Sequence, residues 1–298
     1  MKKIIYDVGA NNGDDIPYYL MKGDRVVAIE ANPVLCERIR LKFEPEIQAG
    51  RLVLESCVVT ADVGLDEVDF YLHNSNHLLS QLPSPSPADT EHFTRLRLPA
   101  KSILEIIESY GAPYYIKIDI EHYEVPLLKA IFAGQYHPPF ISAESHSIEV
   151  FIALAGQGGY NAFKLVDGPS VSNVYADRLI KSSSSLDPKR YSFPNLSAGP
   201  FGNDIDGPWM TAEHFFRLLA FEGLGWKDIH ATNTETPDPT AQPRVVNHLD
   251  RLINRNELLS YVARRVKKSL FSRLKWLGGS GFRANRHSTQ KKREFAFD

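Results

Sequence analysis

Acidic side chains follow several apolar runs of this sequence, at the points where a run ends and a new segment begins. The side chains at these positions are Asp7, Glu30, Asp119, Glu121, Glu144 and, two residues further on, His146. Carboxylates and an imidazole can bind cations, hydroxyls and amino groups, and they can accept or donate protons near neutral pH. Their recurrence at one kind of position predicts that they form a single site.

The apolar runs alternate with helical patterns over the first 170 residues. Short buried strands are predicted in KKIIYDV, RVVAIEA, RLVLESCVV, PYYIKIDIEH, PPFISAESH and NAFKLVDG, and helices in GDDIPYYLMKG, PVLCERIRLKF, KSILEIIESYG and EVPLLKAIFAG. This alternation indicates a parallel sheet with helices on both faces. Ligands of such sheets bind beyond the carboxyl ends of the strands, which is where the acidic side chains are expected.

The first turn, GANNG, suggests which ligand binds there. Gly9 and Gly13 would let a ligand approach the backbone, and Glu30 stands where an acidic residue binds ribose hydroxyls. The turn lacks the GxGxxG pattern of dinucleotide sites, and Asp7 would repel a phosphate, so a nicotinamide-dependent oxidoreductase is disfavoured. A positively charged nucleoside without phosphate fits better, and S-adenosyl-L-methionine is such a ligand.

Four segments resemble the FkbM-type S-adenosylmethionine-dependent methyltransferases in order and spacing: YDVGANNGD, VVAIEANP, YYIKIDIEHYEVPLLKAI and FISAESH. The resemblance covers about residues 3–170. It implies the α/β, Rossmann-like class I methyltransferase fold, with a seven-stranded, mostly parallel sheet in the order 3-2-1-4-5-7-6 and helices on both faces. It also implies O-methylation of a hydroxyl on a sugar, glycan or glycosylated metabolite, as in polysaccharide modification.

The resemblance also assigns residues to the cofactor. Those placed at its methionine and ribose parts are Asp7, Gly9, Ala10, Asn11, Gly13, Glu30 and Ala31, while Asp119 and Glu121 fall beside the methyl group. The sequence departs from the family at His122, where glycine is usual, so the turn after the fourth strand is expected to be altered. A second departure, PAKSI in place of an opening aspartate, affects a helix cap.

Methyl transfer to a hydroxyl requires that the hydroxyl lose its proton. His146 is the first candidate for the general base, because a histidine pKa lies near neutrality, although it could instead bond to a backbone group. Asp119 and Glu121 are the other catalytic candidates, and they point to opposite sides unless the strand has already ended. A divalent metal on Asp119, Glu121 and Glu144 is a second possibility that the spacing does not require.

Two segments are candidates for binding the acceptor. The loop HNSNHLLSQLPSPSP carries Asn76, His77 and Ser80, and LSAGPFGNDIDGPWMT carries Phe201 and Trp209. Together with Glu144, these residues form a predicted carbohydrate site, since aromatic faces and polar groups recognise sugars. The alternatives are an ordinary exposed loop for the first segment and a turn with a helix N-cap for the second.

The composition, with 43% hydrophobic and 23% charged residues, is typical of a soluble globular protein. Two cysteines form no disulfide framework, and neither a signal peptide nor an apolar run long enough to span a membrane is apparent. A cytoplasmic protein is therefore expected, with possible peripheral attachment to the inner membrane surface.

Charge divides the chain into an acidic body and a basic tail. From Arg244 onward there are 14 Lys or Arg and 4 Asp or Glu. We predict a methyltransferase domain over residues 1–230, a linker over 231–244 and a basic amphipathic helical tail over 245–298. Residues 248–276 could bind an anionic membrane, a protein partner or the domain itself, whereas nucleic acid is a weaker choice. The functional alternative to the methyltransferase is a non-catalytic nucleoside-binding adaptor that acts through this tail.

Truncation after about Pro243 should leave a folded protein that still binds S-adenosylmethionine, because the resemblance ends well before the tail. The full-length protein should sediment with anionic vesicles at low salt and dissociate as salt screens the attraction. Unfolding of the truncated protein would assign the tail to the core. Equal partition onto neutral and anionic vesicles, or onto neither, would contradict membrane binding.

Overall fold

The structure is a computed structural model that describes residues 2–183 and 187–241. These residues all belong to one compact unit, Met1–Pro243. The predicted helical tail and the last three residues of the predicted linker, 242–244, lie outside the described residues. Within the described ranges, no helix has the length and apolar character needed to cross a membrane.

The main sheet contains eight strands. From one edge of the sheet to the other they are β3 (Leu52–Ser56), β2 (Arg25–Glu30), β1 (Ile4–Val8), β7 (Tyr115–Ile118), β8 (Phe140–Ser145), β13 (Gly225–Thr232), β9 (Ala162–Asp167) and β12 (Met210–Thr211). The first five are parallel to one another, and β13 runs antiparallel to both of its neighbours. Every residue of β1, β7 and β8 is buried, as expected for central strands covered on both faces.

Helices lie between the strands along the chain. They are α1 (Ile16–Lys22), α2 (Pro33–Lys42), α3 (Glu44–Gln48), α4 (Ile103–Tyr110), α5 (Glu124–Ala133), α6 (Ile148–Ile152), α7 (Val171–Val174) and α8 (Ala212–Glu222), and a π-helical turn, Ala153–Gln157, extends α6. The start of α4 is fixed by a reciprocal capping box between Ser102 and Glu105. The α/β methyltransferase fold expected from the resemblance is confirmed.

Two sequence-based expectations about the sheet need correction. The sheet has eight strands instead of seven, because the two-residue strand β12 pairs antiparallel with the edge strand β9. Strand β13 was not recognised in the sequence, and it includes Ala231 and Thr232, which were predicted to begin the linker. Both residues are buried between β8 and β9, so they belong to the core of the sheet.

A smaller sheet is inserted between β3 and α4. It consists of β4 (Val58–Thr60), β5 (Glu67–His73) and β6 (Phe93–Ser102), in the order β4-β6-β5. β5 and β6 pair antiparallel, which confirms the hairpin arm predicted in DEVDFYLHN. A separate hairpin joins β10 (Arg178–Ile180) to β11 (Lys189–Tyr191).

The aromatic residues near position 200 pack inside the protein. Phe201 is 3% exposed and stacks on Tyr115, with ring centroids 3.9 Å apart. Trp209 is 6% exposed, and its indole donates a hydrogen bond to Asn203 while Lys164 lies over its ring. The prediction that Phe201 and Trp209 bind substrate is therefore wrong, because both rings are part of the hydrophobic core.

The glycines of the first turn are required by the protein itself. Gly9 adopts φ +82°, and a Cβ atom there would lie 1.9 Å from the carbonyl oxygen of Asp119. Gly13 adopts φ +75°, and a Cβ atom there would lie 2.9 Å from the side chain of Phe43 and 3.0 Å from that of Ile16. These glycines thus let the first turn pack against the segment after β7 and against helices α1 and α2.

Gly9→Ala should lower the free energy of unfolding by at least about 3 kcal/mol, because it adds a backbone clash to the strain of a positive φ. Gly64→Ala is the matched control, since Gly64 adopts φ +80° with no atom within 4 Å of the added Cβ. It should cost only the strain, about 1–2 kcal/mol. Urea unfolding of both variants makes the comparison, and equal losses would show that close packing at Gly9 is unimportant.

Candidate functional site

The acidic residues after the strands meet at one edge of the main sheet, as predicted. Strand β7 ends at Ile118, so Asp119 and Glu121 lie in the following turn and not on the strand. This is why both side chains border the same cavities instead of pointing to opposite faces. Two adjoining cavities share this border, and they also share Gly9, Asn11 and Leu78.

Lys117, which was not selected from the sequence, is buried at the centre of this edge. Its Nζ atom lies 3.2 Å from Asp119, 3.4 Å from Asp7 and 3.3 Å from the carbonyl oxygen of Gly9, which accepts a hydrogen bond. Burial acts to lower the pKa of Lys117, but the charges of Asp119 and Asp7 raise it well above its usual value. The signal in the sequence was a lysine inside an apolar run, because lysine is rarely buried unless it is paired.

Asp7 is fully buried beneath the site. It borders neither cavity, and both of its carboxylate oxygens lack a hydrogen bond, so its contact is the ion pair with Lys117. Gly13 also lies away from both cavities. Asp7 and Gly13 therefore stabilise the first turn from inside the protein. The prediction that they contact the cofactor is wrong, because neither residue borders a cavity.

Glu30 occupies the predicted position at the end of β2. Its two carboxylate oxygens accept hydrogen bonds from the backbone N–H groups of Asn11 and Asn32, each at 2.8 Å. Burial raises the pKa of Glu30 to about 7, although these two hydrogen bonds act in the opposite direction. Each oxygen keeps a further lone pair, so the carboxylate can still accept a hydrogen bond from a ligand.

The cavity that Glu30 borders is here called the Glu30 cavity. Its remaining wall is mainly apolar, and it includes Ile29, Ala31, Leu35, Cys57, Val58 and Phe70. Of these, Ala31 was predicted, whereas the contributions from the segment around Cys57 were not. Nothing in the sequence marked Cys57 and Val58 as site residues; Cys57 directly follows β3, and Val58 begins β4.

The Lys117 cavity continues from the Glu30 cavity past Asp119. It is bordered by Ala10, Asp14, Asp15, Lys117, Glu144, Leu196 and Trp226. Asp15 is anchored by hydrogen bonds from the hydroxyl of Ser197 and the N–H of Ala198, and burial raises its pKa to about 6. Among the described residues that border this cavity, the acidic side chains outnumber the basic one, Lys117, so the cavity is negatively charged.

The loop from Asn76 to Ser80 lies at the site, as predicted. His77 and Ser80 border the Glu30 cavity, and Asn76 borders the Lys117 cavity. The Asn76 side chain accepts a hydrogen bond from the N–H of Leu78, and the Ser80 hydroxyl accepts one from the N–H of His73. These bonds fix the loop over the junction of the two cavities.

Asp119 and Glu144 lie beside Lys117 and share a hydrogen bond. Burial acts to raise the pKa of Asp119, but Lys117 and a hydrogen bond with Glu144 hold it below its usual value. Burial and the charge of Asp119 raise the pKa of Glu144 to about 10. Asp119 is therefore the ionised partner and Glu144 the protonated one, which donates the hydrogen bond between them.

The ring of His146 is enclosed by carboxylates. Nδ1 lies 3.0 Å from Glu124, and Nε2 lies 3.0 Å from Glu121 and 3.5 Å from Glu144. Burial acts to lower the pKa of His146, but the hydrogen bonds to Glu121 and Glu124 raise it to about 11. Both ring nitrogens are thus engaged, and the expectation that His146 is the general base is corrected.

A groove, here called the His92 groove, runs along the inserted sheet to the edge of the site. It is bordered by His73, Gln81, Asp89, His92, Phe93, Glu121 and His122, together with the proline-rich segment 83–86. Glu121 borders this groove and both cavities. A molecule in the groove would therefore approach the same carboxylate that a molecule in the cavities approaches.

Comparisons with known proteins agree with this architecture. The model of a family described as the Methyltransferase FkbM domain matches residues 7–168, which is more than half of the chain. The matched segment begins with Asp7 and ends just after β9, so it contains the first turn, Glu30 and the carboxylates after β7 and β8. No curated protein matches the sequence.

Solved structures resemble this chain at low sequence identity and low TM-score. Methyltransferase FkbM from Methylobacillus flagellatus KT is 19% identical over 55% of this chain and 39% of its own, with a TM-score of 0.37. Precorrin-6y C5,15-methyltransferase from Geobacter metallireducens GS-15 is 12% identical over 55% of this chain and 66% of its own, with a TM-score of 0.32. These two matches span less than two thirds of the other chains. A third structure, StiE O-MT residues 961–1257, is 8% identical over 84% of this chain and 73% of its own, with a TM-score of 0.33.

Those three likenesses are too weak to carry a functional conclusion. The family match is independent of them, and it covers the strands and turns that form the site. The family match agrees with the fold and with the carboxylate edge described above. The chain belongs to the FkbM methyltransferase family, whose members are methyltransferases that generally use S-adenosylmethionine.

Proposed function

We propose that the protein binds S-adenosyl-L-methionine in the two adjoining cavities and transfers its methyl group to a hydroxyl of a sugar or glycan. The observation that carries this proposal is the division of chemistry between the cavities. The Glu30 cavity joins one carboxylate to apolar walls, as a ribose and a purine require, and the Lys117 cavity is rich in carboxylates.

The first turn offers hydrogen-bonding capacity that the protein leaves unused. The side-chain oxygen of Asn11 is buried and has no hydrogen-bond partner, and Asn11 borders both cavities. A buried acceptor without a donor is costly, so this atom favours a ligand with hydroxyl or amino donors. Glu30 lies beside it, since it accepts the N–H of Asn11, and the two groups together fit a ribose diol.

The acidic cavity suits the other end of the cofactor. Carboxylates stabilise a positively charged ligand in a partly buried site far better than in water. S-adenosylmethionine, when bound, supplies an electrophilic methyl group on a sulfonium, and its amino group carries a second positive charge. Asp119 and Glu121, at the border of the two cavities, are the carboxylates that would face this charge.

The His92 groove supports a hydroxyl of a carbohydrate as the acceptor. It presents the ring of Phe93 together with Asp89, Gln81 and His92, and it ends at Glu121. Ring faces and polar groups of this kind bind sugar C–H and O–H groups. Holding the acceptor at this end of the groove would supply much of the acceleration through positioning, and Asp119 and Glu121 are carboxylates at this point that can accept the hydroxyl proton.

Glu30→Ala should weaken the binding of S-adenosylmethionine by roughly 10–100-fold, about 1–3 kcal/mol, because a charged hydrogen-bond acceptor is lost. Titration calorimetry on the full-length protein measures this change. Glu55→Ala is the matched control, since Glu55 is also 8% exposed but pairs with Lys101 and Tyr110 outside both cavities. Tighter binding of NAD than of S-adenosylmethionine, or equal effects of the two variants, would contradict the proposed site.

Label from methyl-labelled S-adenosylmethionine should appear on a sugar hydroxyl when the protein is incubated with a panel of mono- and oligosaccharides and glycosylated metabolites. Asp119→Asn should lower the rate by at least about 100-fold, since the carboxylate at the reacting atoms is removed. Asp69→Asn, on the inserted sheet, should leave the rate unchanged. Label found only on nitrogen or carbon, or an unaffected Asp119→Asn variant, would refute the proposed reaction.

A further inference from the structure

The ring of His146 has a specific orientation that the methyl-transfer proposal does not use. Its Nδ1 atom is 3.0 Å from a carboxylate oxygen of Glu124, whose side chain is 2% exposed. A buried carboxylate at this distance accepts a hydrogen bond and fixes the N–H on Nδ1. In that tautomer Nε2 carries the lone pair and faces the oxygens of Glu121 and Glu144 at 3.0 and 3.5 Å.

A lone pair directed at the carboxylate oxygen of Glu121, 3.0 Å away, is repulsive unless positive charge lies between them. A carboxylate that holds one ring nitrogen while the other faces further ligands is the usual arrangement around metal-bound histidines. A proton on Nε2 is the other way to supply the charge. A metal ion, unlike a proton, requires a further ligand close to Nε2 of His146 and Glu121.

His122 is close to both residues. Its Nε2 atom lies 3.8 Å from the Glu121 oxygen that faces His146, and the two imidazole rings are 4.7 Å apart. One ligand atom from each of Glu121, His122 and His146 lies within 4.8 Å of the others. His122 reaches this position with φ +63°, a conformation that is uncommon for residues other than glycine and that often marks functional sites.

The spacing of these atoms fits a common metal ion. Ligands at about 2.0–2.1 Å in a tetrahedron lie roughly 3.3–3.4 Å from one another. The measured separations from the shared Glu121 oxygen, 3.0 Å to His146 and 3.8 Å to His122, lie on either side of that value. The side chain of His122 is 60% exposed, so an ion can reach the cluster from solvent.

We propose that Glu121, His122 and His146 bind a divalent transition-metal ion, with Glu124 as the positioning residue for His146. Two imidazole nitrogens and a carboxylate favour Zn²⁺ or Mn²⁺ over Mg²⁺ and Ca²⁺, which prefer oxygen ligands alone. Because Glu121 borders the His92 groove and both cavities, the ion would lie where an acceptor hydroxyl meets the cofactor. That placement rests on the proposed function, whereas metal binding itself does not.

Equilibrium dialysis of the full-length, chelator-treated protein against Zn²⁺ and Mn²⁺ tests the proposal without any acceptor. One ion should bind per chain, and the affinity should exceed that for Mg²⁺ by at least about 100-fold. His146→Gln should abolish binding, and His122→Gly should lower the affinity by at least about tenfold. Glu124→Gln should lower it by about 10–100-fold, as for a residue that orients a ligand.

Controls separate metal binding from folding. Glycine tolerates a positive φ, so His122→Gly should melt no lower than the unaltered protein. His92→Ala, a histidine in the same groove outside the cluster, should bind the ion normally. In the Co²⁺-loaded protein, the visible absorption bands should be lost in His122→Gly and kept in His92→Ala.

Failure of this inference can be told apart from failure of the proposed function. Absence of ion binding, or unchanged affinity in His122→Gly, would overturn the metal site and leave a protonated His146 as the source of charge. Calorimetry with S-adenosylmethionine on the same metal-free protein reports on the proposed function alone. Normal cofactor binding there, with no metal binding, would refute only the metal site.

Discussion

The site depends on the pairing of one buried lysine with the acidic residues around it. Lys117 is 4% exposed and lies within 4.0 Å of the carboxylates of Asp7, Asp15 and Asp119. An unpaired charge at this depth would cost several kcal/mol, so the strand β7 can carry Lys117 only if β1, α1 and the turn after β7 keep their present arrangement. The same requirement fixes the first turn, because Lys117 also donates to the carbonyl oxygen of Gly9.

This constraint extends to the region after β11. Asp15, at the start of α1, accepts hydrogen bonds from Ser197 and Ala198, and the next aromatic residue, Phe201, stacks on Tyr115 of β7. Residues that looked like a separate recognition segment therefore hold the far side of the Lys117 cavity in place. Rigid positioning of this kind is what methyl transfer requires, because much of its acceleration comes from the alignment of two reactants.

Much of this arrangement could be predicted from the sequence, and the exceptions have a common cause. Apolar runs ending in acids located β1, β2, β7 and β8 and placed Glu30, Asp119 and Glu121 at one edge. Strand β13 was missed because Asp228 and His230 interrupt its apolar pattern, yet both are buried in the sheet. Lys117 was missed although it lies within a predicted strand, because two of its acidic partners are distant in sequence. The burial of a polar residue depends on partners distant in sequence, and a local pattern does not contain them.

A crystal structure of the full chain with S-adenosylhomocysteine tests the central claim, that these cavities form one cofactor site, most directly. We expect the ribose hydroxyls within hydrogen-bonding distance of Glu30, the adenine against Cys57 and Val58, and the sulfur beside Asp119. A ligand bound elsewhere, or one whose ribose lies away from Glu30, would contradict the account.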